Sequence, residues 1–133
     1  MGYFVMKKTA TGYNFSLYAS NKVKIAVASG VYASPATCKK GIASVKVNAI
    51  KCVTEDRIED QTLKEVEKKT CPRFEIYFDK AGLYRYRLIA ANGESIAMSE
   101  EGYKSKTGCV GGIKSVAQNA PEAEIIDETV EAK

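Results

Sequence analysis

Hydrophobic and polar positions alternate with a period of two through Phe74-Glu-Ile-Tyr-Phe78, and again through Leu83-Tyr-Arg-Tyr-Arg-Leu-Ile-Ala90. That is the pattern of half-buried strands rich in aromatic and branched side chains. Ala81-Gly82 marks the turn between them. Asn92-Gly93 predicts a two-residue hairpin with positive φ at both positions, pairing Ala91 with Glu94, and Ser95-Ile-Ala-Met-Ser99 then returns antiparallel. The period changes further on. Cys38, Ile42, Val45 and Ala49 recur at helical spacing, as do Cys109, Ile113, Val116 and Ala120. Lys39, Lys40 and Lys46 fall outside that stripe. Gly41 and Gly112 lie on its margin, where a helix and a sheet can approach closely. Ser34 and Ser105 suit helix N-caps, and Pro35 follows Ser34 at the helical position proline favours. Pro121 ends the second helix. A short closing strand is expected near Lys51–Thr54 and near Glu124–Asp127.

The pattern occurs twice. Shifted by 71 residues, positions 3–49 lie over 74–120 without a gap, matching Tyr13 to Tyr84, Leu17 to Leu88, Tyr32 to Tyr103 and Cys38 to Cys109. The expected organisation is a first repeat over 1–54, a connector over 55–72, a second repeat over 73–127 and a frayed tail over 128–133. In the connector, Ile58, Leu63 and Val66 are the only large apolar groups, too few for a core. A unit of about 50 residues buries too little surface alone, so the two repeats should share one core. The expected fold class is α+β: two tandem β-β-β-α-β repeats, one largely antiparallel sheet and two helices on one face.

The run Gly82-Leu-Tyr-Arg-Tyr-Arg-Leu-Ile-Ala-Ala-Asn-Gly-Glu94, then Ser99-Glu-Glu-Gly-Tyr-Lys-Ser105 and Gly112-Ile-Lys-Ser-Val-Ala-Gln-Asn-Ala-Pro121, resembles the YegP-like proteins. These are small single or tandem proteins of unknown function. The resemblance covers both repeats. It implies a single sheet in which each unit's last strand is exchanged onto the other, and it brings no catalytic residues. The first repeat departs from the pattern: Asn21-Lys22 stands where the second has Asn92-Gly93, and Asn14 and Ser16 replace Arg85 and Arg87. A non-glycine residue at positive φ costs on the order of 1 kcal/mol.

Charge is unevenly spread. Residues 1–54 hold eight lysines and no acid, whereas residues 73–133 hold ten acids and eight bases. Two explanations stand: an anion-binding first repeat, or a basic half docked on an acidic half. No run nears the roughly 18 apolar residues that span a bilayer. The start, apolar only to Met6, fits neither a signal peptide nor the myristoylation pattern, so a cytoplasmic address is expected.

The chemistry expected is sparse. There is no histidine, and the four cysteines, Cys38, Cys52, Cys71 and Cys109, form no C-x-x-C pair, so no metal site is indicated and reduced thiols are expected. Cys38 and Cys109 sit on the core stripe, where a thiol acts as a small inert hydrophobe. No phosphate-binding glycine loop is present, and no cofactor is expected. The expectation is a non-enzymatic module.

The sheet offers more. Pairing Phe78 with Tyr84 puts Phe74, Ile76, Tyr86 and Leu88 on one face. Glu75, Tyr77, Arg85, Arg87, Ile89, Ile96 and Met98 fall on the other, and Phe4, Met6, Tyr18, Ile25 and Val27 of the first repeat are assigned to that second face. Three explanations of this mixed face stand: a bulge that restores a polar face, a self-association or protein-binding surface, or an Arg/Tyr platform for single-stranded nucleic acid. Glu75 lies opposite Arg87, which favours internal pairing. The candidate surface is Tyr77, Arg85, Arg87, Ile89 and Ile96, with Lys22 and Lys24 from the basic repeat. The function expected is protein–protein interaction by an unidentified partner, the alternative being weak nucleic-acid or polyanion binding by the first repeat. A monomer with an internal pseudo-two-fold is favoured over a homodimer, and no membrane association is expected.

Overall fold

The computed structural model describes residues 2–128, so of the tail expected over 128–133 only Glu128 is described, its N–H donating to the Met6 carbonyl, and the rest lies outside the described residues. Each copy folds as three strands, a helix and a strand. The first copy comprises β1 (Tyr3–Lys8), β2 (Tyr13–Tyr18), β3 (Lys24–Ala28), α1 (Pro35–Thr54) and β4 (Ile58–Asp60). The second comprises β5 (Arg73–Phe78), β6 (Tyr84–Ile89), β7 (Ser95–Ser99), α2 (Lys106–Asn119) and β8 (Glu124–Asp127).

All eight strands form one sheet in the order β4-β5-β6-β7-β3-β2-β1-β8. The meanders are antiparallel, and β3 meets β7 antiparallel at the centre. The two edge strands are exchanged: β4 of the first copy pairs parallel with β5 of the second, and β8 pairs parallel with β1. The sheet is therefore mixed, with parallel pairing confined to its edges. At the centre Val27 pairs with Met98, two residues that are repeat equivalents. The pseudo-two-fold axis thus passes between them.

Both helices cover one face. Cys38, Gly41, Ile42, Val45, Ala49 and Cys52 of α1 are buried, as are Cys109, Gly112, Ile113, Val116 and Ala117 of α2. They pack on Phe4, Met6, Phe15, Leu17, Phe74, Ile76, Tyr86 and Leu88, all essentially inaccessible to solvent. Ser34 caps α1 through a capping box with Thr37, Pro35 opens it, and Ser105 accepts from the Gly108 N–H at the start of α2. The marginal glycines are close-approach sites. A Cβ on Gly112 would lie 2.9 Å from Tyr86 Cε2 and against the Tyr103 hydroxyl, and one on Gly41 would meet the Tyr32 phenol.

Three expectations are corrected. Phe4 and Met6 lie on the helix-covered face, opposite Leu17 and Phe15, not with Tyr18 and Val27, and Ile25 is turned to that covered side by a bulge. The β1–β2 turn is one residue shorter than the β5–β6 turn, so Phe4 matches Phe74, and a gapless shift slips the first strand by one and inverts its faces. Next, Lys51–Thr54 is the last turn of α1, not a strand; the closing strand is Ile58–Asp60, inside the segment expected to be connector. No proline stops α1. It runs on until Asp56, at φ 54°, closes it with the Arg57 N–H on the Cys52 carbonyl and the Asp56 N–H on the Val53 carbonyl. Finally, only Gly93 of the Asn92-Gly93 pair has positive φ, and Ala90, not Ala91, faces Glu94. This is a three-residue connection closed by a glycine bulge, with Asn92 Oδ1 accepting from the Glu94 N–H.

The same turn recurs at Ala19–Val23, where Lys22 takes the glycine's place at φ 69°. Lys22 and Asp56 therefore carry the strain that glycine avoids. Lys22→Gly and Asp56→Gly are each expected to stabilise the fold by up to about 1 kcal/mol, read as a rise of a few degrees in Tm. Gly112→Ala should do the opposite, by about 1–3 kcal/mol.

Candidate binding surface

The face away from the helices is open. One row of cross-strand neighbours runs over all eight strands: Glu59, Glu75, Arg87, Met98, Val27, Ser16, Val5 and Ile126. About the central Met98–Val27 pair, Arg87 answers to Ser16, Glu75 to Val5 and Glu59 to Ile126. The backbone repeats, and the side-chain chemistry does not.

The second-repeat half is an ion network. Glu75, nearly buried, accepts from Arg73 (Nη2 to Oε2, 2.6 Å) and from Arg87 (Nε to Oε1, 2.6 Å). Arg87 also donates to Gln61 Oε1 at 3.2 Å, and its guanidinium lies 4.4 Å from the centre of the Tyr77 ring. Gln61 donates to Glu59 Oε2 at 2.8 Å, and the Lys69 N–H donates to Glu59 Oε1 at 3.0 Å. Arg73 Nη1 donates to the Lys69 carbonyl and to Cys71 Sγ. Burial works to raise the Glu59 carboxyl, but the hydrogen bonds from Gln61 and Lys69 and the charge of Arg73 outweigh it, so its pKa falls below the ordinary value. Asp60 is likewise held low, burial being outweighed by the hydrogen bond from Lys106 of α2 at 2.7 Å and those from Thr62. Burial lifts the thiols of Cys52 and Cys109 to about 11, so neither is a ready nucleophile.

The first-repeat half carries no carboxylate–arginine network among the described residues, and its row is apolar apart from Ser16. Val5 is buried, while Val27 and Met98 are half-buried and Ile126 is exposed. Tyr3 and Tyr18 stack with ring centres 5.1 Å apart and planes 5° from parallel.

The seven candidate residues do not form one patch. Tyr77, Arg85 and Arg87 are together on β5 and β6, as the expected register requires. Both arginines are engaged: Arg87 as above, and Arg85 with Asp79 at 2.7 Å. Ile89 is buried beside a register shift at the end of β6, and Ile96, expected on the open face, is the extra residue of the bulge on β7 and packs against the helix-covered core. The bulges put one extra residue, Ile25 on β3 and Ile96 on β7, opposite the ends of β2 and β6; both isoleucines pack against the helix-covered core, while Arg85 and Arg87 stay on the open face. Lys22 is exposed in the β2–β3 turn. Lys24 pairs with Glu100 at 3.8 Å and lies 5.9 Å from the Tyr18 ring centre. Glu59, Gln61 and Arg73 were not foreseen. The faint signal was Ile58-Glu-Asp60 echoing Ile125-Ile-Asp127.

The charge asymmetry is partly used inside the chain. Lys7–Glu128, Lys24–Glu100 and Lys39–Asp127 join the basic first copy to acids of the second at 3.8–4.0 Å. These are surface pairs, each worth little. A depression at the start of α1, about 320 Å³, is lined by Tyr32, Thr37, Lys40, Glu94, Ser95 and Ile96 among others.

A family model described as a domain of unknown function (DUF1508) matches residues 9–56 and 79–127. The chain belongs to this family. The repeat architecture is shared with yegP of E. coli, whose solution structure superposes with a TM-score of 0.75 at 26% identity, covering 98% of this chain and 96% of that one. The UPF0339 protein of Bordetella pertussis is 37% identical over 128 residues, spanning 96% of both chains. The UPF0339 protein of Methanosarcina acetivorans is 57% identical over 54 residues, which are 91% of its own length and 41% of this chain. That relative is one repeat long. The family is thus YegP-like, with a tandem α+β fold in this chain and no function attached. No helix among the described residues is long and apolar enough to cross a membrane.

Removing the carboxylate from Glu75 leaves two arginines facing each other. Glu75→Gln is expected to destabilise by about 2–3 kcal/mol, less than a fully buried pair because the arginines are part-exposed. The lowered carboxyls of Glu59 and Asp60 stabilise the fold above their unfolded values near about 4 and lose that contribution as pH falls through the folded values. Urea unfolding should therefore give a plateau at neutral pH and a fall below about pH 4, smaller in Glu59→Gln. The raised thiols act at the other end, their contribution being lost as pH climbs through about 11.

Proposed function

We propose that this protein is a non-catalytic protein-interaction module that binds through the first-repeat half of its open sheet face. One observation carries this. Met98 and Val27 sit half-buried at the centre of a sheet face with no helix over it, and beyond Ser16 and the buried Val5 the row ends at the exposed Ile126, beside the Tyr3–Tyr18 stack. Apolar side chains left accessible on an uncovered sheet face mark interaction sites. Against a nucleic-acid platform, Arg73, Arg85 and Arg87 already satisfy carboxylates. The four unpaired cysteines fit a reducing compartment, the cytoplasm.

A photo-crosslinking amino acid placed at Val27 or Met98 in cells tests the proposal. Discrete protein adducts that survive nuclease and moderate salt are expected, and Val27→Lys should abolish those formed from position 98. Adducts lost on nuclease treatment, or none from either position, would count against it.

A further inference from the structure

Charge in this protein is segregated by layer as well as by repeat. Neither helix contains a single acid: α1 carries Lys39, Lys40, Lys46 and Lys51, and α2 carries Lys106 and Lys114. Lys39 and Lys106 pair with Asp127 and Asp60, whereas Lys40, Lys46, Lys51 and Lys114 make no ion pair among the described residues.

The outer side of α1 has a second pattern. Its buried seam runs Cys38, Ile42, Val45, Ala49 and Cys52, at alternating spacings of four and three. Half a turn away, Ala36, Lys40, Ala43, Val47, Ile50 and Thr54 run at the same alternating spacing. That is a heptad seam, and it faces solvent: Val47 is 64% exposed and Ile50 41%. Lys39 and Lys46 border it on one side and Lys51 on the other. The second copy supplies an internal control. Its inner stripe is preserved, but the positions equivalent to the outer seam are Thr107, Gly111, Lys114 and Gln118. Packing on the sheet therefore does not require the outer seam.

We infer that the outer face of α1 docks an amphipathic helix of another protein whose apolar stripe is flanked by Asp and Glu. A helix laid along another reads apolar seam positions for contact and flanking charges for choice of partner. Uniform lysine flanks select acidic ones. They also oppose a second copy of α1, which would set lysine against lysine. A 20-residue helix offers about 30 Å of seam, more than five turns. Phosphate backbones are a poorer match, because neither helix carries an arginine or an aromatic and the apolar seam would have nothing to meet. A lipid surface is poorer too, with no Trp, Phe or Leu on this face.

The surface lies on the opposite side of the molecule from the open sheet face, so crosslinking at Val27 and Met98 is independent of its fate. The probe is a synthetic peptide of roughly three heptads with Leu at seam positions and Glu on the flanks; a twin carries Lys on the flanks. Binding is followed by fluorescence anisotropy and by amide shifts in the full-length protein. The Glu peptide is expected to bind and to shift α1 amides, while the Lys twin does not bind. Val47→Lys with Ile50→Lys should weaken the Glu peptide at least tenfold despite the added positive charge. Lys46→Glu with Lys51→Glu should reverse the preference to the Lys twin. Circular dichroism checks the fold, and Val47→Gln with Ile50→Gln replaces the first variant if it fails. No shift on α1 would overturn the inference. So would tighter binding of the Glu peptide to the double-lysine variant. Displacement of the peptide by a single-stranded oligonucleotide or by anionic vesicles that themselves bind the double-lysine variant more tightly would mean a polyanion or lipid site instead.

Discussion

Neither repeat can close its own sheet, and the rest of the structure follows from that. β4 leaves the first copy to lie parallel to β5, and β8 leaves the second to lie parallel to β1. α1 carries the chain from the central β3 to the edge at β4, and α2 carries it from the central β7 to the edge at β8. Each helix is thereby fixed over strands of both copies, and the core from Phe4 to Ala123 is one cluster. The Tyr86 hydroxyl adds a further tie, donating at 2.6 Å to the Ile25 carbonyl of the other copy. Two small units thus share the burial that one alone lacks.

Once the halves share a core, their surfaces are free to differ. The core obeys the pseudo-symmetry closely: Phe4 against Phe15 and Phe74 against Tyr86 make the same edge-to-face contact. The open face does not. Glu75, Arg87 and Glu59 form a polar network at positions whose mates across the pseudo-two-fold are Val5, Ser16 and Ile126. The 61–72 segment covers the network by donating the Lys69 N–H and the Gln61 amide. The carboxylates of the charged half are thus satisfied internally.

The sequence made the architecture legible because each device is local. Strand alternation from Phe74 to Ala90, the N-cap serines and the helix stripes all act within a few residues, and the β5–β6 register followed from them. The first strand was misread because one residue fewer in a turn leaves similarity almost intact yet inverts both faces. β4 was hidden by the extra length of α1, which displaces Ile58-Glu-Asp60 from its repeat partner. The partners of Arg87 were half legible. Glu75 lies directly across the strand pair, but Gln61 is 26 positions away and is brought in only by the exchanged edge.

The outer face of α1 was illegible for a different reason. A helix covering a sheet needs one apolar stripe, and the inner stripe accounts for that need. Val47 and Ile50 then read as scattered exposed residues, which are ordinary on any surface. Their meaning depends on knowing that the inner seam is already buried and that α2, performing the same packing, has Gln118 where α1 has Val47. Duplication supplies that comparison inside one chain. What both copies keep is what the shared core requires, and what one copy alone carries is available for something else: the apolar half of the sheet face on one side and the lysine-flanked seam of α1 on the other.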